Sequence, residues 1–449
     1  MSHAAAGAGT FPRGVHPIEG KHFAEDVPIE VLPTPPEVAI PLLQHTGAPA
    51  EPTVKPRQEV RLGEVIGTSG GFISAAVHAS VSGTARMISV ATLPNARHVQ
   101  AIPIQSGEQP LESQALYDDV FGGDWPRVGL DDFEGQRISE AVSEAGIVGL
   151  GGAAFPTHVK LLKNEKKPID TLLVNGCECE PFLTADYRVM VEAPAPVVTG
   201  ALLAARATGA ERILIVIEDN KPEAIRSMRA AAEGTGIEIR VLKTKYPQGG
   251  EKQAIFAALG RAVPTGGLPL DVGVVVVNVG TAAAIARAVL RGKPLTHRVV
   301  TVTGPGIAEP KNLLVPIGAP HRALIDFCGG LTDAAARIVA GGPMMGFALG
   351  DLDAPVTKGT SGVLVLTEDE APADRVETAC IRCGRCVEAC PLNLVPTKIA
   401  LAAKARDWEL TRNYHMLACM ECGCCAYVCP ANIPLVQLIR MGKAEAPRE

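Results

Sequence analysis

The chain has 449 residues, a formal net charge of −6 and an apolar fraction of 47%. This length exceeds what one hydrophobic core ordinarily serves, so we expect several domains. The acidic balance gives no electrostatic footprint for nucleic acid, and no apolar stretch reaches the roughly 20 residues that cross a bilayer. Twelve cysteines, most of them close together near the C-terminus, indicate metal ligation in a reducing compartment rather than disulfides.

Residues 11–105 contain short apolar runs separated by Gly and Pro, which is typical of an all-β domain. The stretch HASVSGTA is predicted to form a hairpin within it. Such a small β-sandwich resembles the fold of the biotinyl and lipoyl carriers. A carrier would present a lysine at residues 80–83, where this chain has Ser, Val, Ser and Gly. We therefore interpret the domain as a structural module rather than as a swinging arm.

Residues 130–290 alternate between apolar strands and helices, which predicts a parallel α/β sheet with covering helices. Strands are expected in DTLLVNG, ERILIVIEDN, EIRVLKTKYP and DVGVVVVNVG. Residues 296–365 return to short strands around one helix, which predicts a small α+β domain. Residues 370–440 hold most of the cysteines, with helical stretches between and after them.

Two stretches near the C-terminus repeat the spacing C-x2-C-x2-C-x3-C-P. Their cysteines are Cys380, Cys383, Cys386 and Cys390 in the first motif and Cys419, Cys422, Cys425 and Cys429 in the second. This is the bacterial ferredoxin spacing for [4Fe–4S] clusters, in which three thiolates hold one cube and the fourth cysteine holds the other. On that pattern Cys429 completes the first set and Cys390 completes the second. Two cubes held in this way form an electron relay rather than a catalyst.

The alternative for these motifs is a pair of zinc sites. Zinc motifs usually separate two C-x2-C pairs by a longer loop, whereas here the third cysteine follows at once. Cys424 is out of register with the repeat and is interpreted as a non-ligating neighbour of Cys425.

A glycine-rich loop and several strand ends carry candidate ligand-binding residues in the α/β region. In GLGGAAFPTHVK the backbone N–H groups can approach a phosphate or a flat ring closely, and a lysine adds positive charge. Ligands of α/β sheets bind at the carboxyl ends of strands, where NGCECEP, YPQGGEKQ and VNVGT supply carboxylates, a glycine turn and an asparagine. Each stretch alone is more often a turn than a site, but together they favour a site.

Together these stretches resemble the NADH-binding flavoprotein subunit of respiratory complex I, which has a GRGGAGFP-type loop, an NADE-type acidic loop, a Tyr…Gly-Glu-Glu stretch and an Asn-Asn turn. The resemblance implies a non-covalent FMN with NADH stacked on it near Phe155. The matching positions are Gly149, Gly151, Phe155, Lys160, Asn175, Glu178, Glu180, Tyr246, Glu251 and Asn278. Cys177 stands where that family has an aspartate, and Gly250 replaces the first of its two glutamates.

The order of stretches from FPRGVHPIEGK to the double ferredoxin motif resembles the C subunit of the Rnf/Rsx ion-translocating electron transport complexes, over roughly residues 11–440. This resemblance implies a multidomain α/β and all-β architecture. Its expected parts are a barrel-sandwich hybrid domain (11–105), an FMN/NADH α/β domain similar to that of complex I (130–290), a β-grasp domain of the soluble-ligand-binding type (296–365) and a helical, ferredoxin-like domain with two [4Fe–4S] clusters (370–440).

The implied function is NADH oxidation by a peripheral subunit on the cytoplasmic face of the cell (inner) membrane. Electrons would pass from NADH through FMN and the two clusters to membrane-embedded partner subunits, which exchange electrons with ferredoxin while moving Na+ or H+. Hydride transfer to a flavin needs no side-chain acid or base, so no catalytic residue is assigned. Two alternatives stay open: a stand-alone flavin and iron–sulfur reductase similar to cobalamin reductases, and a non-enzymatic electron-transfer adaptor.

Overall fold

Residues 29–106 form short strands, as their Gly- and Pro-punctuated sequence predicts. The structure is a computed structural model that describes residues 9–163, 166–372 and 376–447. The strands of this region are β1 (Ile29–Val31), β2 (Glu37–Pro41), β3 (Glu51–Pro52), β4 (Glu59–Val60), β5 (Val65–Thr68), β6 (Val77–His78), β7 (Gly83–Ala85), β8 (Ser89–Thr92) and β9 (His98–Ser106).

Strands β2 to β9 form two sheets around one small core. The larger sheet has the order β2-β9-β7-β4, with β8 paired to β9, and the smaller has the order β3-β5-β6. The predicted hairpin in HASVSGTA is wrong, because β6 and β7 belong to different sheets. The chain crosses between the sheets there because Val77, Ala79, Val81 and Ala85 are all buried in the shared core.

The following region is an α/β layer structure. Its elements are α1 (Ser113–Val120), α2 (Gly135–Glu144), α3 (Thr157–Leu161), β10 (Thr171–Asn175), α4 (Ala185–Glu192), α5 (Pro194–Thr208), β11 (Arg212–Glu218), α6 (Pro222–Ala232), β12 (Glu238–Leu242), α7 (Glu251–Leu259), β13 (Val274–Asn278) and α8 (Val279–Arg291). The four strands are parallel in the order β12-β11-β10-β13, as the alternating pattern predicts.

The sheet is covered by helices, so its central strands are almost continuous runs of Val, Leu and Ile. Helices α5 and α8 pack against each other at very close range. At Gly200 a Cβ atom would lie 1.7 Å from the carbonyl oxygen of Ala282, so only glycine permits this approach. The packing fixes the start of α8, which follows directly from the end of β13.

A mixed six-stranded sheet follows in the chain. Its new elements are β14 (His297–Thr303), β15 (Lys311–Pro316), α9 (His321–Phe327), β16 (Ala335–Ala340), β17 (Phe347–Ala348) and β18 (Gly362–Thr367). The strand order is β1-β15-β14-β18-β16-β17, and β1 pairs with β15 in parallel. The edge strand β1 therefore comes from the range that we expected to belong to the N-terminal β domain.

The C-terminal region is helical around the cysteine motifs. Its helices are α10 (Arg385–Ala389), α11 (Pro396–Lys404), α12 (Trp408–Asn413), α13 (Cys424–Tyr427) and α14 (Leu435–Glu445). Within the described residues no single helix is long and apolar enough to cross a membrane; α4 and α5 pass that test only as a pair, bent by 96°.

Candidate flavin and iron–sulfur site

Two asparagines mark the carboxyl edge of the parallel sheet. Asn175 ends β10 and Asn278 ends β13, and the two are register partners on adjacent strands. The Asn175 side chain donates to the carbonyl of Gly249 at 2.7 Å. The Asn278 side chain donates to Asp186 at 2.6 Å and accepts from the Thr281 N–H at 3.2 Å, which caps α8. Both predicted residues therefore hold neighbouring loops at one sheet edge.

The glycine loop folds back on itself above the start of α8. The Gly149 N–H donates to the carbonyl of Phe155 at 2.9 Å, and the Leu150 N–H donates to the hydroxyl of Thr281 at 2.9 Å. A Cβ at Gly151 would lie 3.3 Å from the Cβ of Asn278, whereas a Cβ at Gly152, where φ is +119°, would meet no atom within 4 Å. The loop thus lies against Asn278 and faces open space, as a cradle for a flat or phosphorylated ligand requires.

Lys160 and Glu251 meet at the same edge of the sheet, although 91 residues separate them in the chain. The Lys160 ammonium donates to Glu251 at 2.5 Å and to the carbonyl of Val276 at 3.1 Å. Glu251 opens α7, where a carboxylate is favoured by the helix dipole. The ion pair fixes both predicted side chains beside the glycine loop.

The acidic loop after β10 is held in place by its own carboxylate and by a distant lysine. Both oxygens of Glu178 accept backbone N–H groups at the start of α4, from Asp186 at 2.8 Å and from Tyr187 at 3.0 Å. The buried ammonium of Lys21 donates to the carbonyls of Glu178, Glu180 and Leu183 at 2.9, 3.1 and 2.6 Å. Glu178 therefore caps a helix, a role that the sequence did not indicate.

Glu180 is the carboxylate of this loop that keeps a free oxygen. Its Oε1 accepts from the Met345 N–H at 2.6 Å, while its Oε2 is buried and has no hydrogen-bond partner among the described residues. Burial raises the pKa of Glu180 to about 7. Both amide atoms of Gln248 are likewise buried and without partners in the described part of the chain. Orphaned donors and acceptors at one edge fit a polar heterocycle such as FMN.

The loop after β12 connects this edge of the sheet to the cysteine motifs. The buried hydroxyl of Tyr246 donates to the carbonyl of Cys422 at 2.7 Å. The N–H of Gly249 donates to the sulfur of Cys179 at 3.2 Å, and Cys179 packs in the same buried group as Cys422. Side chains of the flavin-side loops therefore contact the second cysteine motif directly.

The second motif and the last cysteine of the first motif share one cavity. The cysteines that line it are Cys390, Cys419, Cys422, Cys424 and Cys425. Its remaining walls are mainly apolar and come from Leu394, Ile399, Val436 and Ile439. The structure thus brings Cys390 beside the second motif, which is the arrangement that cross-ligation requires. The out-of-register Cys424 is fully buried and also packs with Val15 and Tyr246.

A backbone contact joins the flanks of two cysteines of the other predicted set, although within the described residues no three Cys, His, Asp or Glu side chains are close enough to hold a metal ion as they stand. The Thr378 N–H, two residues before Cys380, donates to the carbonyl of Ala431, two residues after Cys429, at 3.0 Å. Cys380, Cys386 and Cys429 all pack against one buried cluster. The fourth member, Cys383, is exposed.

Four residues of this region were missed in the sequence. They are Lys21, Cys179, Asp186 and Gln248. Burial, and next the nearby charge of Glu178, raises the pKa of Asp186 to about 7. Asp186 carried a usable signal, because acidic side chains are favoured in the first turn of a helix. Lys21 carried none, since its partners are backbone carbonyls more than 150 residues away.

Comparison with protein families matches most of the chain in four segments. These are the RnfC barrel sandwich hybrid domain over residues 9–109, the Nuo51 FMN-binding domain over 142–287, the SLBB domain over 299–348 and a 4Fe-4S dicluster domain over 379–433. The predicted fold class is confirmed, as are FMN and [4Fe–4S] clusters as the cofactors. The zinc alternative is not supported.

A solved structure of an NAD+-reducing [NiFe]-hydrogenase in the H2-reduced state is similar in fold. Its TM-score is 0.50 at 19% identity, and the match covers 72% of this chain and 65% of that chain. At this identity the likeness concerns the fold alone.

Curated relatives match nearly the whole chain. The C subunit of the proton-translocating ferredoxin:NAD(+) oxidoreductase complex of Clostridium ljungdahlii is 46% identical over 97% of this chain and 94% of the relative. The C subunit of the Na(+)-translocating complex of Acetobacterium woodii is 43% identical over 97% of both chains, and the C subunit of the ion-translocating oxidoreductase complex of Rhodobacter capsulatus is 41% identical over 96% of this chain and 82% of the relative. The chain therefore belongs to the family of C subunits of the ion-translocating ferredoxin:NAD(+) oxidoreductase, or Rnf, complexes.

Proposed function

We propose that this chain oxidises NADH at an FMN held at the carboxyl edge of β10 and β13, and that its cysteine motifs relay the electrons. One observation carries the proposal: the hydrogen bond of 2.7 Å from Tyr246, on the flavin side, to the backbone of Cys422, in the second motif. A flavin site and a cysteine cavity that share a buried contact are suited to exchange electrons. Tyr246 would then separate the flavin from its nearest cluster.

The residues that would hold FMN are those that meet at this edge. The glycine loop would receive the phosphate or the ring on its backbone N–H groups, and Gly152 would leave room for it. Glu180 and Gln248 would provide partners for the polar atoms of the flavin or of nicotinamide. When bound, FMN accepts a hydride as two electrons and releases electrons singly. The protein contributes position and electrostatics, so no side-chain acid or base is assigned.

The proposed ligand sets follow from the shared cavity. Cys390, Cys419, Cys422 and Cys425 would hold the cluster next to the flavin domain, because they line one apolar cavity. The other set would hold the outer cluster through Cys380, Cys383, Cys386 and Cys429, of which Cys383 is exposed. Thiolates are the ligands that iron–sulfur clusters require, and an apolar wall around them keeps water away. The chain is thereby suited to carry electrons from a buried entry to an exposed exit.

We further propose the domain limits 11–105, 130–290, 296–365 and 370–440, with β1 of the first range added to the sheet of the third domain, and a place on the cytoplasmic face of the cell membrane. As a member of the Rnf family the chain is part of a membrane complex. NADH is a cytoplasmic metabolite, so its oxidation site should face that side. The proposed partners are the membrane subunits of the complex and, through them, ferredoxin.

Flavin binding by a glycine variant tests the site. Gly152→Val should weaken FMN binding at least tenfold, because the side chain would fill the open face of the loop. Gly234→Val is the matched control, since Gly234 also has a positive φ of +77° and open space around it. Equal FMN affinity in the two variants would contradict the assignment.

The orientation is tested with membrane vesicles that contain the whole complex. Added NADH should be oxidised by inside-out vesicles and not by sealed right-side-out vesicles, because NADH does not cross a bilayer. Oxidation by right-side-out vesicles alone would place the site on the opposite face.

A further inference from the structure

The two cysteine motifs have the same backbone but different surroundings. Arg382 and Glu421 occupy equivalent positions, with φ of +58° and +60°. Gly384 and Gly423 are also equivalent, with φ of +78° and +84°. The repeat therefore gives each motif the same kind of face, formed by the five residues that start one position after its first cysteine.

In the second motif this face is an internal interface. A Cβ at Gly250 would lie 2.7 Å from the terminal methyl of Met420, and a Cβ at Gly423 would lie 2.6 Å from the carbonyl oxygen of Met344. Glu421 forms ion pairs with Arg440 at 3.1 Å and with Lys443 at 2.8 Å. The flavin domain and the region of the neighbouring six-stranded sheet thus cover this face of the second motif. The negative charge of Glu421 is neutralised by its two ion pairs.

In the first motif the equivalent face, residues 381–385, is uncovered. Ile381, which corresponds to Met420, is 66% exposed. Cys383 is exposed, and a Cβ at Gly384 would meet no atom within 4 Å. Arg382 and Arg385 are exposed and have no carboxylate partner within the described residues. An apolar side chain beside a cluster ligand, with unpaired charges around it, is what an electron-transfer interface presents.

The charge around this face is positive, although the whole chain is acidic. Arg13 lies beside it and donates to the carbonyl of Val387 at 2.7 Å. Glu388 is the nearby acid, and Glu377 is already paired with Lys404 at 2.9 Å. Within the described residues, Arg13, Arg382 and Arg385 thus lie on or next to this face together with the acid Glu388, whereas the protein as a whole has a net charge of −6. Such a patch attracts an acidic surface and increases the rate of encounter with it.

We propose that residues 381–385 dock an iron–sulfur protein that presents an acidic surface around its own cluster. The inference rests on the proposed function, because it treats this face as the exit for electrons from NADH. With the clusters bound, the residues of this face would hold the partner close enough for one electron to pass from cluster to cluster, so that the outer cluster would be oxidised and the partner's reduced with no bond formed and no proton moved. The partner would cover residues 381–385 as other parts of this chain cover the equivalent residues 420–424 of the second motif.

The test measures binding of the full, cluster-loaded chain to an acidic ferredoxin with two [4Fe–4S] clusters, which serves as the probe for an acidic iron–sulfur partner, by titration calorimetry at low and high salt. The wild-type affinity should fall as salt rises. The double variant Arg382→Glu with Arg385→Glu should bind at least tenfold more weakly at low salt. Ile381→Ser keeps the charges and should weaken binding at both salt concentrations. The matched control, Arg97→Glu with Arg229→Glu, makes the same charge change at two exposed, distant arginines and should bind like the wild type.

Two further measurements, iron content and bleaching of the flavin by NADH, distinguish a failure of the docking proposal from a failure of the proposed function. Both measurements should give the wild-type result in every variant. If NADH fails to bleach the wild-type flavin, the proposed function fails, whatever the ferredoxin binding. If bleaching is normal but the Arg382 and Arg385 variant binds ferredoxin like the wild type, the docking proposal is overturned. An equal loss in the control pair would also overturn it. Binding to phosphatidylglycerol vesicles is measured in parallel. If the Arg382 and Arg385 variant loses vesicle binding but keeps ferredoxin binding, the docking proposal is overturned and the patch is assigned to a lipid surface.

Discussion

Glu180 combines a buried, partnerless oxygen with a pKa of about 7, raised by burial. Its pKa in the unfolded chain is near 4.3. The folded state therefore favours the protonated acid, and the stability that this group contributes is complete below about pH 4 and is lost as the pH rises through about 7. The carboxyl group is thus a source of pH dependence at the centre of the proposed flavin site.

Glu180→Gln should remove that dependence. In flavin-free protein the difference in unfolding temperature, variant minus wild type, should increase by at least about 2 °C between pH 5 and pH 8. Scanning calorimetry at the two pH values measures this. Glu37→Gln, at an exposed glutamate, should give no such difference. If the wild type instead gains stability relative to the variant between pH 5 and pH 8, the predicted direction of the pH dependence is wrong.

Cys390→Ser should damage the cluster of the second motif rather than that of its own. The reason is that Cys390 lines the cavity of Cys419, Cys422 and Cys425. Electron paramagnetic resonance of the reduced protein distinguishes the two clusters, and the signal that persists should be that of the outer one. Cys424→Ser is the control and should leave about eight irons in place. A lesion confined to the cluster of Cys380, Cys383 and Cys386 would refute cross-ligation.

At the scale of elements, the N-terminal segment 9–24 is a strap that joins the flavin domain to the cluster domain. Val15 and Tyr246 exchange both backbone hydrogen bonds at 2.9 Å, and the Gly14 N–H donates to Ala389 at the end of α10 at 3.1 Å. Lys21 then holds the acidic loop by its carbonyls. The strap therefore positions the acidic loop and Tyr246 together.

Lys21→Met should release the acidic loop and weaken FMN binding about tenfold or more, because three carbonyl groups lose their common donor. Flavin retention through gel filtration measures the effect. Lys55→Met, at an exposed lysine, should retain flavin like the wild type. Full retention in the Lys21 variant would show that the loop keeps its shape without the strap.

How far the sequence predicts these elements depends on whether their partners are local. The parallel sheet was predictable because each strand and helix carries its own apolar period, and the cysteine sets were predictable because cluster ligation imposes the spacing. The strap, the pairing of β1 with β15 and the crossing between β6 and β7 were not. The strap and the pairing of β1 depend on backbone groups far along the chain, and the crossing depends on which side chains enter the shared core, so none of the three leaves a local pattern.

At the scale of the whole molecule, the proposed electron path would lead from the sheet edge to the surface. The flavin-side loops contact the second motif through Tyr246 and Cys422, and Cys383 of the first motif is exposed at the surface. The resemblance to the Rnf family predicted these parts and their cofactors. It did not predict that Glu178 caps α4 or that the two motifs differ in which face is covered, since both depend on packing between domains.

Removing the contact between the two halves tests that path. Tyr246→Phe leaves the buried carbonyl of Cys422 without its donor, which should cost about 1–3 kcal/mol of stability. FMN and iron contents should be retained, while NADH-driven reduction of the clusters should slow in stopped-flow measurements. If the variant reduces its clusters at the wild-type rate and has the wild-type stability, the Tyr246–Cys422 contact has no role in electron transfer from the flavin to the clusters.

The most direct test of the central claim is an anaerobic titration of the purified chain with NADH, after analysis of its iron, zinc and flavin. About eight irons and one non-covalent FMN per chain are expected, and NADH should bleach the flavin. About two zinc ions in place of iron, or a bound flavin that NADH leaves oxidised, would contradict the account.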